Sequence, residues 1–124
     1  MDIPKGLNDI NDGHVLLLKK SLYGLKQSPR CWNIKFTNFM LKHSFTQSEN
    51  DLCLFTKVIR SEMLIIGVYV DDCVIAGPSK LVIEFKELMI KSWKMHDLEQ
   101  LNYLLGLKVE FSDKGISLSQ KTYK

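Results

Sequence analysis

Residues 65–77 read IIGVYVDDCVIAG. Two apolar stretches flank two adjacent carboxylates, Asp71 and Asp72. The eight residues MLIIGVYV (63–70) form an expected strand without clean alternation, which predicts that both of its faces are covered. CVIA (73–76) is its expected antiparallel partner, and Gly77–Pro78 breaks the chain. Two like charges ~4 Å apart repel by several kcal/mol at an effective dielectric of about 20. A hairpin that needed only polarity would more often carry Asn-Gly or Asp-Gly, and Asp-Asp gives up the glycine that eases a positive φ. Solvent, a nearby lysine or a divalent cation could offset the repulsion. Mg²⁺ takes hard oxygen ligands, commonly one or two carboxylates plus substrate phosphates, and paired strands hold such ligands rigidly. Most Asp-Asp pairs are simply exposed turn residues. The apolar flanks on both sides tilt this one toward function without naming a reaction.

Outward from this hairpin, residues 1–13 read as loop and HVLLLKK (14–20) as a short strand. Ser28–Pro29 suits a helix start, with Ser28 as N-cap and Pro29 at the first position. Trp32, Phe36, Phe39 and Met40 then predict an amphipathic helix over about 29–43. Residues 43–50 read as a connection and DLCLFTKVI (51–59) as a strand closed by a turn at 60–62. Leu81, Val82, Phe85, Leu88 and Met89 predict a second helix over about 79–93. Residues 101–112 and 116–119 suggest a closing hairpin around Asp113–Lys114–Gly115. The mixture predicts an α+β domain, an antiparallel sheet with helices on one face.

The 124 residues suffice for one modest core. No apolar run approaches the ~20 residues of a membrane span, and the N-terminus lacks the apolar stretch of a secretory signal. Cys31, Cys53 and Cys73 are widely spaced, with no CxxC, so neither a zinc site nor a disulfide framework is expected; a reducing, cytoplasmic setting is. The net charge of +3 is uneven. Between Asp12 and Glu49 there is no acidic residue, while Lys19, Lys20, Lys26, Arg30, Lys35 and Lys42 lie there. Such a segment is either a solvated face or a surface for phosphates.

Tyr69-Val70-Asp71-Asp72 resembles the YVDD box of reverse transcriptases, and SLYGLKQSPRCW (21–32) resembles the "LYGLKQ-x-PR-x-W" signature of copia-type retrotransposon reverse transcriptases. DLCLF (51–55), YLLGLKV (103–109), ISLSQKTY (116–123) and the opening MDIPKGL follow that family in order and spacing. The resemblance implies a partial polymerase palm, with residues 1–124 as a single partial reverse transcriptase domain. It implies RNA-directed DNA synthesis on an RNA or DNA template with a primer and deoxynucleoside triphosphates, without a membrane. It implies two Mg²⁺ ions ~3.5–4 Å apart that activate the primer hydroxyl and stabilise the leaving pyrophosphate, with Asp71 and Asp72 as catalytic metal ligands. Tyr23, Gly24, Lys26, Gln27 and Arg30 would lie beside nucleotide and template, and Tyr69 beside the primer end. In an active element the enzyme would work in a cytoplasmic virus-like particle.

The family carries a third catalytic aspartate on an upstream strand, in a stretch like "DVKTAFLNG", and no such stretch occurs here. Asp2, Asp9 and Asp12 sit in a loop pattern. The expectation is therefore little or no polymerase activity from this chain alone, and a sheet with an exposed edge or apolar face prone to association. The rival readings are an inactive relic palm that binds nucleic acid through its basic 14–44 segment, and an unrelated Mg²⁺ phosphotransfer domain. The latter would call for a phosphate-cradling G-x-x-x-x-G-K loop, which is absent.

Overall fold

The computed structural model describes residues 15–120, which fall into two compact units divided between Ser44 and Phe45. The expected N-terminal loop, His14, and the last part of the ISLSQKTY stretch lie outside the described residues.

The first unit is built on helix α1, Ser28–Lys42. Pro29 occupies the first turn, where its missing N–H costs nothing. Phe36 and Met40, one turn apart, are buried, and Trp32 stacks on Phe36 at 5.0 Å but stays partly exposed. Ser28 does not cap the helix. Gln27 is the N-cap, and the Ser28 hydroxyl instead donates to the Leu22 carbonyl, drawing the preceding loop back onto the helix start. The strand expected at 14–20 does not form within residues 15–20. Val15 and Leu17 are exposed there, so their apolar side chains find no covered face to hold a strand.

The second unit runs β1 (Thr46–Gln47), β2 (Leu54–Ile59), β3 (Glu62–Tyr69), β4 (Asp72–Ala76), α2 (Ser79–Ser92), β5 (Tyr103–Leu104), β6 (Leu107–Ser112) and β7 (Gly115–Ser119). Strands β1–β4 form one antiparallel sheet in sequence order, and β5–β7 form a second. The closing hairpin is thus part of a separate three-stranded sheet. The fold is α+β, as expected.

The period of two in β3 sets the faces of the larger sheet. Leu64, Ile66 and Val68 are buried, whereas Met63, Ile65, Gly67 and Tyr69 are half-buried or exposed. The expectation that both faces of this strand are covered is corrected: one is. Phe55 is cross-strand to Ile66 and shares its face. Helix α2 buries Leu81, Phe85 and Met89, at i, i+4 and i+8, and Phe85 meets Phe45 at 5.1 Å. Lys57 lies with its ammonium 5.4 Å from the Phe45 ring, a cation–π contact on the same face.

Beyond α2, the carboxylate of Asp97 pairs with Lys86 at 2.8 Å and accepts from the Glu99 N–H at 2.9 Å. The Lys86 hydrogen bond leads in holding the Asp97 carboxyl below its usual value. This Asx-type turn fixes the chain as it leaves the helix toward the second sheet.

Candidate active site

Tyr69 ends β3 and Asp72 begins β4, and the two are cross-strand partners. The turn between them therefore has Val70 and Asp71 as its central residues. Both carboxylates are expected in the turn; the register puts Asp71 there and makes Asp72 the first residue of a strand. Val70 has φ +52°, and Asp71 is not left-handed. Positive φ at the first central position alone is the pattern of a type II′ turn, which ordinarily has glycine there. A β-branched residue in that conformation is a true outlier. The sequence gives no sign of it, because a β-branched residue is not expected at such a position. The strain predicts that Val70→Gly raises stability by about 1 kcal/mol, since relief of roughly 1–3 kcal/mol exceeds the ~0.5–1 kcal/mol entropy cost of glycine. A thermal melt checks it, with an expected rise in Tm of a few degrees.

Asp71 and Asp72 are both exposed. Among the described residues neither carboxylate has a hydrogen bond or ion pair. The register places Asp72 and Tyr69 on the open face of the sheet with Gly67, Val74, Ile65 and Ala76. Tyr69 is 55% exposed, so its ring lies outside the core. Cys73 points to the other face, where burial first, and the Asp72 charge second, push its thiol pKa up. The thiol stays protonated and adds no third negative charge beside the pair. No group of three or more His, Cys, Asp or Glu side chains among the described residues is arranged to hold a metal ion.

The other sequence-derived residues lie together in the first unit. Tyr23 and Gly24 form a turn in which Tyr23 is 98% exposed and Gly24 has φ +88°. A Cβ on Gly24 would meet nothing within 4 Å, so its backbone faces open space. Lys26 and Gln27 continue as an exposed turn, and Arg30 is exposed in the first turn of α1. The Gln27 carbonyl accepts from the Cys31 N–H at 3.1 Å, leaving its amide side chain in solvent. The structure thus forms two clusters: Tyr69, Asp71 and Asp72 on the hairpin tip, and Tyr23, Gly24, Lys26, Gln27 and Arg30 on the loop entering α1.

Comparison with known proteins bears on the family of the chain. A family model described as "Reverse transcriptase (RNA-dependent DNA polymerase)" matches residues 1–124. The retrovirus-related Pol polyprotein from transposon TNT 1-94 of Nicotiana tabacum is 36% identical over 128 residues, covering 99% of this chain and 10% of that protein. The retrovirus-related Pol polyprotein from transposon RE1 of Arabidopsis thaliana is 33% identical over 125 residues, covering 99% of this chain and 8% of that protein. The putative transposon Ty5-1 protein of Saccharomyces cerevisiae is 34% identical over 122 residues, covering 97% of this chain and 40% of that protein. No solved structure gives a significant match. The chain spans about a tenth of the length of the plant polyproteins. Matched from end to end by the family model, the chain belongs to the reverse transcriptases, as a segment of the copia-type retrotransposon enzymes.

Proposed function

We propose that residues 1–124 are a partial palm domain of an RNA-directed DNA polymerase, and that Asp71 and Asp72 hold Mg²⁺ with the triphosphate of the incoming deoxynucleotide. One observation carries this reading: two adjacent carboxylates without hydrogen bond or ion pair among the described residues, on a tight strand hairpin, in a chain matched throughout by the reverse transcriptase model. The residues fit the ion in a limited sense. Mg²⁺ commonly binds one or two carboxylates and fills its shell with water and phosphate, and Asp71 and Asp72 supply that number. A third protein ligand is absent among the described residues. When bound, Mg²⁺ would neutralise triphosphate charge and activate the primer hydroxyl.

The chain's own groups then have separate tasks. The Asp71 and Asp72 oxygens bind, and their mutual repulsion favours a cation between them. The exposed Tyr69 ring, cross-strand from Asp72, offers a flat surface to the primer end. Tyr23 offers a second ring for stacking against sugar or base. Gly24 lets a substrate approach the backbone closely, because no Cβ stands in the way. Lys26 and Arg30 hold phosphates by charge, and the Gln27 amide donates to the template or nucleotide. The same proposal sets the enzyme in the cytoplasm, and the exposed free Cys31 and Cys53 fit a reducing compartment.

Two carboxylates without a third ligand hold the ions poorly. The isolated 124-residue chain is therefore expected to extend no primer with Mg²⁺ and deoxynucleotides. Grafted in place of the corresponding stretch of the TNT 1-94 polyprotein, it is expected to support synthesis. Synthesis by the isolated chain would contradict the need for a further carboxylate, and a folded but inactive graft would point to a relic palm.

A further inference from the structure

Strand β2 enters the larger sheet from a tight loop, and the end of its ladder with β3 is set there. Toward the tip, Leu54 and Gly67 are the last pair of the two strands. One step further Cys53 stands opposite Val68, and a hydrogen-bonded antiparallel pair would exchange two bonds. One is made: the Val68 N–H donates to the Cys53 carbonyl at 2.9 Å. The Cys53 N–H turns away and donates to the Asp51 carboxylate, also at 2.9 Å. Asp51 therefore stops the ladder one residue before Tyr69. Beyond it, among the described residues, Tyr69 pairs only with Asp72 across the turn. Asp51 is itself held. Its N–H and that of Asn50 donate to the Ser48 hydroxyl, each at 3.3 Å. Its carbonyl accepts from the Leu54 N–H at 3.0 Å, and the Ser48 N–H donates to the Leu54 carbonyl at 2.9 Å. The Gln47 side-chain amide closes the loop by donating to the Leu52 carbonyl at 2.7 Å.

We propose that Asp51 is a positioning residue for the Asp71–Asp72 tip. It acts through two hydrogen bonds in series. The Cys53 N–H donates to its carboxylate, and the Cys53 carbonyl accepts from Val68, the residue before Tyr69. This chain matters because the tip has little else to hold it. Val70 sits in a left-handed conformation that valine resists. Such strain persists only where the surrounding structure fixes it, and the repulsion between Asp71 and Asp72 adds to it. The two carboxylates themselves make no hydrogen bond or ion pair among the described residues. Asp51 is not a third ligand, since no three His, Cys, Asp or Glu side chains among the described residues are grouped to hold a metal. It supplies an acceptor within Asx-turn reach, not a charge. That separates two conservative substitutions. Asn keeps the acceptor and loses the charge. Glu keeps the charge but adds a methylene, which carries the acceptor past the two-residue turn. The inference rests on the reading of the tip as a cation site; the hydrogen bonds themselves do not.

Amide hydrogen exchange and NMR amide shifts of the full 124-residue chain, in metal-free buffer, test it. Asp51→Ala is expected to speed exchange at Val68 about fivefold, in keeping with the loss of one hydrogen bond. The amide shifts of Tyr69, Val70, Asp71 and Asp72 are expected to move with it, while Phe85 and Met89 of α2 keep their protection. Asp51→Asn is expected to match the wild type, and Asp51→Glu to match Asp51→Ala. Should Asp51→Ala fail to fold, the Asn and Glu variants decide the matter by themselves. In the active graft the same order is expected in synthesis. Asp51→Ala and Asp51→Glu lower kcat about tenfold or more with the KM for deoxynucleotide little changed, and Asp51→Asn restores it. Unchanged exchange and shifts in Asp51→Ala overturn the proposal, as does faster exchange spread evenly over β2, β3 and α2. So does an Asp51→Asn variant that behaves like Asp51→Ala, because the charge would then be the active feature. A wild-type graft that synthesises nothing counts against the cation-site reading instead, and the exchange and shift results still decide whether Asp51 holds the tip.

Discussion

Asp71→Asn and Asp72→Asn, each made in the active graft, cut primer extension by about a hundred-fold or more and leave the melting temperature nearly unchanged. The two halves of this expectation have different causes. A ligand that stabilises transition-state charge through a metal contributes several kcal/mol, and each 1.36 kcal/mol is a factor of ten in rate. Stability responds differently because the side chains of Asp71 and Asp72 hold nothing in place: both are exposed, and neither makes a hydrogen bond or ion pair among the described residues. Removing one charge relieves repulsion with the other, so Tm stays level or rises slightly. Parallel assays of synthesis and thermal unfolding read both. A fall in Tm with synthesis intact would show that the pair is structural.

Gly77→Ala is expected to destabilise the second unit by about 2–3 kcal/mol, a large share of the 5–15 kcal/mol typical of a domain. Gly77 follows β4 directly and passes over the start of β3. A Cβ there would lie 2.9 Å from the Met63 carbonyl oxygen, 3.0 Å from Leu64 Cδ1 and 3.3 Å from Leu64 Cα. Two of these three atoms are backbone in a paired strand, so a rotamer change cannot clear the clash. Either β3 shifts against β2, or β4 peels from β3 at Ala76. Both routes loosen the hairpin that carries Asp71 and Asp72. Gly67 provides the contrast within the same hairpin, since a Cβ there meets nothing within 4 Å. Denaturant unfolding of Gly77→Ala beside Gly67→Ala measures the difference, and equal stabilities would refute the close approach.

Both helices were legible in the chain because each carries its own periodic signal. Leu81, Phe85 and Met89 announce the buried stripe of α2, and Phe36 with Met40 that of α1. The β3–β4 hairpin was legible because two apolar runs meet at charges and end at Gly77–Pro78. What stayed hidden depends on partners. HVLLLKK has the composition of a strand, but composition supplies no neighbour to bond with. β1 is two residues in a polar connection, visible only through the pairing of Thr46 with Thr56 and Gln47 with Phe55. The split into two sheets was equally illegible, since no residue in 101–119 says which strand it will pair with.

The candidate site divides along the same line. Residue types singled out the carboxylates, Tyr23, Gly24 and the bases, and the resemblance supplied the roles expected of them. Register showed that Asp72 is a strand residue and that Tyr69 shares its face, and register with the backbone angle showed that Val70 occupies the glycine position of the turn. A local sequence pattern contains none of this, because register is a relation between two strands.

The central claim is that the Tyr69–Asp72 tip is a divalent-cation site. Titrating the isolated chain with Mn²⁺ as a paramagnetic stand-in for Mg²⁺, and recording amide line broadening by NMR, tests it without requiring catalysis. Broadening centred on residues 69–73 is expected, competed away by excess Mg²⁺ and lost in the Asp71→Asn/Asp72→Asn double variant. Broadening centred elsewhere, or unchanged in that variant, would contradict it.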